Sequence, residues 1–120
     1  MNRRLRGKTN YLAGLAAEDS VAADYARRGH PVAARRWRGS QGELDLVLRD
    51  GAGLIVVEVK KASSFEQAAS RITRRQLDRI YGAVSEFLAG EPAGSGTDVR
   101  LDVALVDQMG RLDIIENYWS

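Results

Sequence analysis

Apolar and polar positions alternate along two neighbouring stretches, Glu43-Leu44-Asp45-Leu46-Val47-Leu48 and Leu54-Ile55-Val56-Val57-Glu58-Val59-Lys60. Alternation of this kind is the signature of β-strands, in which successive side chains point to opposite faces. The turn Asp50-Gly51-Ala52-Gly53 joins the two stretches as a hairpin would. Upstream, the proline-free, alanine-rich segment from Leu12 to Arg28 predicts a helix that stops at Gly29-His30-Pro31. Leu15, Glu18, Ala22 and Tyr25 fall on one helical stripe, which places Glu18 inward, although Val21 and Ala26 compete for that face. Residues 1–10 read as a flexible basic arm ahead of a single domain over 11–120.

Val32 to Trp37 reads as a first strand, followed by the loop Arg38-Gly39-Ser40-Gln41-Gly42. Beyond the hairpin, Glu66 to Leu88 reads as a long helix with a break near Ser70. Ile72, Leu77, Ile80, Val84 and Phe87 form its apolar stripe, while Arg71, Arg75 and Arg79 recur every four residues as a row. Gly90 to Gly96 is a loop by composition. Arg100 to Val106 and Leu112 to Ile115 are the last two strands. The order αβββαββ predicts an α/β fold with a mixed β-sheet flanked by helices.

Strand parity gives the hairpin its chemical interest. Glu43, Asp45 and Val47 share one face, and Glu58 and Lys60 share a face of the second strand. If Arg49 pairs with Leu54 across the turn, Asp45 lands directly opposite Glu58. Two carboxylates facing each other across a ladder repel. A divalent cation between them is the economical resolution.

Composition narrows the class. The 120 residues make one domain, and the 44% hydrophobic content suits a packed globular chain. Without cysteine there is neither a disulfide framework nor a cysteine zinc site. No apolar run approaches the roughly 18 residues of a membrane span, and the basic N-terminus lacks a signal-peptide core, so the expected location is cytoplasmic. The net charge is only +2, yet 15 of the 18 basic residues are arginine and they cluster. Arginine's planar fork matches phosphate oxygens, although a base-composition bias in the genome would raise arginine as well.

Asp45 on one strand and Glu58-Val59-Lys60 on the next form a set suited to phosphodiester hydrolysis. Mg²⁺ or Mn²⁺ takes hard oxygen ligands, commonly one or two carboxylates with several waters retained. Asp45 and Glu58 supply such oxygens, and the backbone carbonyl of Val59 can join them. Lys60 is placed to orient a water or to neutralise charge developing on phosphate. Glu18 is a candidate further carboxylate.

The spacing of Asp45 and Glu58-x-Lys60 resembles the catalytic core of the restriction-endonuclease-like fold. With a helical glutamate added, it resembles archaeal Holliday junction resolvases. Over Gly14 to Tyr118 the chain resembles the bacterial YraN-like family. The matching residues are Gly14 to Glu18 with Tyr25, Gly42 to Val47, Val57 to Lys60, and Arg100 to Val103. The resemblance implies a Mg²⁺-dependent DNA endonuclease acting on branched or flapped DNA. It places catalysis on Asp45, Glu58, Lys60 and Glu18, with metal at Asp45, Glu58 and Val59. Relatives usually carry an arginine where this chain has Ala62; Lys61 is the neighbouring charge that can replace it. Arg75 is the basic group expected to stand for a lysine of the relatives.

Bland alternatives stand beside these readings. The hairpin acids with Lys60 also fit a solvent-facing ion pair worth under about 1 kcal/mol, which leaves their opposition unexplained. Glu18 fits an ordinary helix-surface residue. Arg71, Arg75, Arg79 and Lys61 are candidates for phosphate contact, or a solvated face with Asp78 at hand. Glu43 reads as a strand-edge or supporting residue, and Asp102 as an exposed aspartate on an edge strand. His30 reads as a turn residue. Trp37 and Trp119 read as core or homodimer contacts, with stacking on an unpaired base as the functional alternative. A DNA-binding or assembly module that keeps the nuclease fold without turnover is the alternative function.

Overall fold

The computed structural model describes the backbone from Arg3 to Trp119 and the side chains from Leu12 to Trp119. Helix α1 (Arg3–Arg27) leads into strands β1 (Val32–Arg38), β2 (Glu43–Asp50) and β3 (Gly53–Lys61). Helices α2 (Phe65–Ser70) and α3 (Arg74–Leu88) follow. A single 3₁₀ turn at Gly94–Gly96 leads to strands β4 (Val99–Val106) and β5 (Leu112–Ile115). The five strands lie in the order β1-β2-β3-β4-β5, with β3 and β4 parallel and the other pairs antiparallel. The expected α/β class with a mixed sheet and flanking helices is the observed one.

Helix α1 takes in residues 3–10, where a basic arm was expected. No proline lies between Arg3 and Arg27 to stop it, and Gly7 and Gly14 each weaken a helix by only about 1 kcal/mol. The arginine side chains of that arm lie outside the described residues. The long helix expected over Glu66–Leu88 is two helices instead. Ser64 caps α2 by accepting the Gln67 N–H (3.1 Å), and Thr73 caps α3 by accepting the Gln76 N–H (3.1 Å). Each cap removes one orphan donor at a new N-terminus, so the chain ends one helix at Ser70 and restarts at Arg74.

Both faces of the sheet are covered. On one, Ala17, Val21, Ala22 and Tyr25 of α1 pack on Leu46, Leu48, Ile55, Val57, Ala104 and Val106. On the other, Ile80, Ala83 and Val84 of α3 pack on Val47, Val56 and Leu101. The central strands therefore read as near-continuous apolar runs, as double coverage requires. Trp37 meets Phe87 edge to face at 5.3 Å, and Trp119 stacks on Tyr81 at 4.4 Å; both tryptophans belong to the α3 layer.

The hairpin register is the one inferred from the turn. Arg49 pairs with Leu54 and Leu46 with Val57, and the loop is Gly51-Ala52. Gly51 sits at φ +59, the conformation that the first position of a two-residue hairpin turn demands. In β1 the register shifts between Val32 and Ala34, and Arg36 adopts φ +48 inside the strand. A left-handed backbone costs a side-chain-bearing residue roughly 1–2 kcal/mol. The loop Gly39–Gly42 is pinned to α3 by Glu86, whose carboxylate accepts from Ser40 N (2.9 Å), Ser40 Oγ (2.9 Å) and Gln41 N (2.8 Å). Gly82 permits this approach, since a Cβ there would stand 2.6 Å from that of Gln41.

Asp102 corrects the reading of an exposed edge aspartate. Strand β4 is interior to the sheet because β5 pairs beyond it, and Asp102 is fully buried. Its carboxylate accepts from the Tyr25 hydroxyl (2.6 Å), from Arg100 through two bonds of 2.9 Å, and from Asn117 N (3.1 Å). This network ties α1 to the centre of the sheet. Burial and then the Asp102 carboxylate push the Tyr25 hydroxyl pKa well above the tyrosine range, so it stays a donor. Among the described residues, no helix is long and apolar enough to cross a membrane.

Candidate active site

A cavity of about 490 Å³ opens where β2 begins and β3 ends, between α1 on one side and α3 on the other. Its acids are Glu18, Glu43, Asp45 and Glu58; its bases are Arg36, Lys60, Lys61 and Arg79. Strands β2 and β3 carry Asp45, Glu58 and Lys60 into it through the parity read from the sequence. Helix α1 carries Glu18, which is buried at 7% exposure, and so belongs to the inward stripe.

The ladder between β2 and β3 ends at Leu46–Val57. One step beyond it, Val59 N donates to Asp45 Oδ2 (2.9 Å) instead of to a strand carbonyl. This bond fixes the Asp45 carboxylate at the mouth of the hairpin, facing Glu58. Glu58 is buried at 7% exposure, and its Oε1 accepts from Gln76 Nε2 (2.9 Å) and pairs with Lys60 Nζ (3.1 Å). The N-terminus of α3 lies close behind Gln76, and its dipole favours negative charge there. Glu18 Oε2 accepts from Arg36 Nε at 2.9 Å. The two strand carboxylates are thus each held by one oxygen, with the other left to face the cavity.

Burial sets the protonation of this pair. Burial first, then the charge of Asp45, pushes Glu58 up to about 8, and Lys60 opposes this without cancelling it. Burial also raises Asp45, with Glu18 adding to it and the Val59 N–H opposing it. Two close acids that cannot comfortably ionise together bind either a proton or a cation.

A divalent ion fits the donors present. Asp45 and Glu58 offer hard oxygens, and Mg²⁺ needs only one or two carboxylates because it keeps its waters. Among the described residues no three His, Cys, Asp or Glu side chains converge to hold a metal, so the set suits a hydrated hard ion and not a fully protein-ligated zinc. Glu18 is occupied by Arg36, which sets it apart from the other two acids.

The expected arginine row does not form a single face. Arg71 caps the end of α2 and donates to the Lys61 carbonyl (2.9 Å), outside α3, because the chain bends at 71–73. Arg75 and Arg79 remain one turn apart on α3, but only Arg79 lines the cavity. Lys61 lines it as well. Glu43 lies at the rim, exposed and paired with Arg38 at 3.3 Å. Ala62 is buried against Ala68 and Leu105, so the position offers no charge to the site.

Two residues of the site were not singled out by the sequence. Gln76 was passed over for Arg75, although Thr73-Arg74-Arg75-Gln76 has the capping-box pattern that locates Gln76 at the first turn of a helix. Arg36 carries no local signal, because its placement depends on a left-handed backbone within a strand.

The profile of the family described as uncharacterised protein family UPF0102 matches residues 17–116, a span holding every candidate named here. A UPF0102 protein of Cereibacter sphaeroides is 60% identical over 116 residues, covering 97% of this chain and 99% of its own length. One from Ruegeria pomeroyi is 53% identical over 112 residues, covering 93% and 91%. One from Dinoroseobacter shibae is 42% identical over 115 residues, covering 96% and 86%. The chain belongs to the UPF0102 family, to which the YraN-like proteins also belong.

Proposed function

We propose that this protein is a Mg²⁺- or Mn²⁺-dependent DNA endonuclease, acting at the Asp45–Glu58 pair. The observation that carries this reading is the pair itself: two largely buried carboxylates, each anchored through one oxygen, facing each other beside Lys60. A stable hairpin has no need of such opposition, whereas a cation site does. Asp45 and Glu58 hold the ion, with the Val59 carbonyl within reach of the same position. The bound ion supplies a water made acidic enough to attack near neutral pH.

The chain's own groups do the rest. Gln76 and Lys60 fix the orientation of Glu58. Lys60, at 17% side-chain exposure, presents its ammonium to the cavity and offsets charge developing on phosphate. Arg79 and Lys61 at the rim hold the DNA backbone without reading its sequence. Branched or flapped DNA is the substrate class favoured by likeness to the junction resolvases.

The direct test incubates junction, flap and single-stranded DNA with the protein and Mg²⁺ or Mn²⁺. Cleavage by the wild type that is lost in Asp45→Ala and Glu58→Ala supports the reading. Equal rates in all three proteins sink it, and salt-dependent DNA binding without cleavage would favour the non-catalytic module. Replacing Lys60 by alanine is expected to slow cleavage by roughly a hundredfold, the scale of losing one charge-stabilising group. DNA affinity should fall far less, by the loss of about one phosphate contact. Equal losses in cleavage and binding assign Lys60 to grip alone.

A further inference from the structure

We propose that Arg36 is the charge-balancing arm of the acid pocket: it occupies Glu18, leaving the cation to Asp45 and Glu58, and it meets the phosphate that enters. This rests on the reading of the cavity as a metal- and nucleic-acid-binding site.

Three observations place Arg36 in that role. Its neighbours Arg35 and Trp37 pair with Leu46 and Leu44, so Arg36 stands at the register position opposite Asp45. That one pairing is missing from the ladder, and the backbone there is left-handed. Such a conformation in an arginine within a strand is maintained only where the surroundings enforce it, and it re-aims the side chain. The guanidinium then reaches the buried carboxylate of Glu18 at 2.9 Å.

The layering of the pair matters. The Glu18 side chain is 9% exposed and that of Arg36 is 36% exposed, so Arg36 lies on the solvent side and covers the acid. An anion entering the cavity meets Arg36 before it meets Glu18. A guanidinium presents donors along more than one edge, so it can serve a carboxylate and a phosphate together. The inner acids Glu18, Asp45 and Glu58 stand against Arg36 and Lys60, a surplus of one negative charge. That surplus attracts a cation while leaving a path for phosphate. Without Arg36 the surplus becomes two, and Glu18 becomes available as a third ligand.

The proposal predicts effects of opposite sign on two ligands. Asparagine tolerates the left-handed backbone, so Arg36→Asn removes the charge without opposing the fold. Mn²⁺ binding, followed by electron paramagnetic resonance, is expected to tighten about tenfold in this variant, since a cation at short range has been removed. Binding of a labelled branched DNA in EDTA is expected to weaken, with a salt slope lower by about 0.9. Arg36→Gly, which suits the same backbone, should reproduce both shifts, and thermal melts confirm that each variant is folded. In a Glu18→Gln background most of the Mn²⁺ gain from Arg36→Asn should disappear.

Unchanged or weaker Mn²⁺ binding in Arg36→Asn, or an unaltered salt slope, overturns the role of Arg36 while wild-type binding of both ligands upholds the site. A wild type that binds neither Mn²⁺ nor DNA overturns the reading of the cavity, and this inference with it.

Discussion

Replacing Glu58 by glutamine is expected to abolish cleavage and, in the metal-free protein at pH 8, to raise the melting temperature. The two effects share one cause. Glu58 is a carboxyl driven up to about 8 by burial and by Asp45, from a usual value of 4.5. Between those values the folded protein holds a proton that the unfolded chain has released. Stability therefore declines as pH rises from about 4.5 to about 8, and the full penalty stands above that range. Its size is on the order of 2–4 kcal/mol. Glutamine resembles the protonated acid, keeps an oxygen for Gln76, and removes the penalty. Thermal melts in EDTA at pH 5 and pH 8 check this: the wild type should gain stability on acidification from this group, and Glu58→Gln should show a flatter profile. Added Mg²⁺ should stabilise the wild type at pH 8 and leave the variant unmoved, because the ion replaces the proton as the partner of the pair. Cleavage in the variant should fall by two to three orders of magnitude, roughly the cost of one preorganised charge. A variant that melts lower than the wild type at pH 8 would contradict the electrostatic account of the pair.

Asp102→Ala is expected to be the most destabilising single change outside the apolar core. The carboxylate is fully buried and serves three partners, Tyr25, Arg100 and Asn117 N. Its removal strands the Tyr25 hydroxyl and leaves Arg100, 30% exposed, with the more distant Glu116 at 3.9 Å. Breaking a buried ion pair by deleting one member costs about 3–5 kcal/mol. For a chain of this length that lowers the melting temperature by roughly 10–20 °C. Tyr25→Phe, which loses one hydrogen bond to a charge, should cost about 1.5–3 kcal/mol. A chemical denaturation series with both variants checks the ordering. An Asp102→Ala protein as stable as the wild type would show that the network contributes nothing net.

The site's centre was legible in the sequence for a definite reason. Strand parity is strict, and the two-residue Gly51-Ala52 turn fixes the hairpin register, so the opposition of Asp45 and Glu58 follows from local rules alone. Glu18 was legible in the same way, through the helical stripe it shares with Ala22 and Tyr25. What escaped depends on contacts between distant segments. Asp102 looked exposed because nothing local shows that Leu112–Ile115 pairs beyond β4 and makes that strand interior. The arginine row was broken by Thr73, whose cap restarts the helix and turns Arg71 away. Arg36 could not be read at all, since a left-handed residue within a strand is imposed by its neighbours. The resemblance to nuclease folds agrees with the mixed sheet and its flanking helices.

The pocket so described joins stability and chemistry in the same groups. Burial that holds Glu58 between Gln76 and Lys60 also makes its charge costly, and a cation relieves that cost while arming the site. Proteins commonly carry such destabilising groups where function requires them.

The central claim is that Asp45 and Glu58 together hold a divalent cation. A crystal soaked in Mn²⁺ and measured at a wavelength where manganese scatters anomalously tests it most directly. The account predicts a peak between the two carboxylates, about 2.1 Å from one oxygen of each. The absence of a peak there, with the carboxylates turned apart, would contradict it.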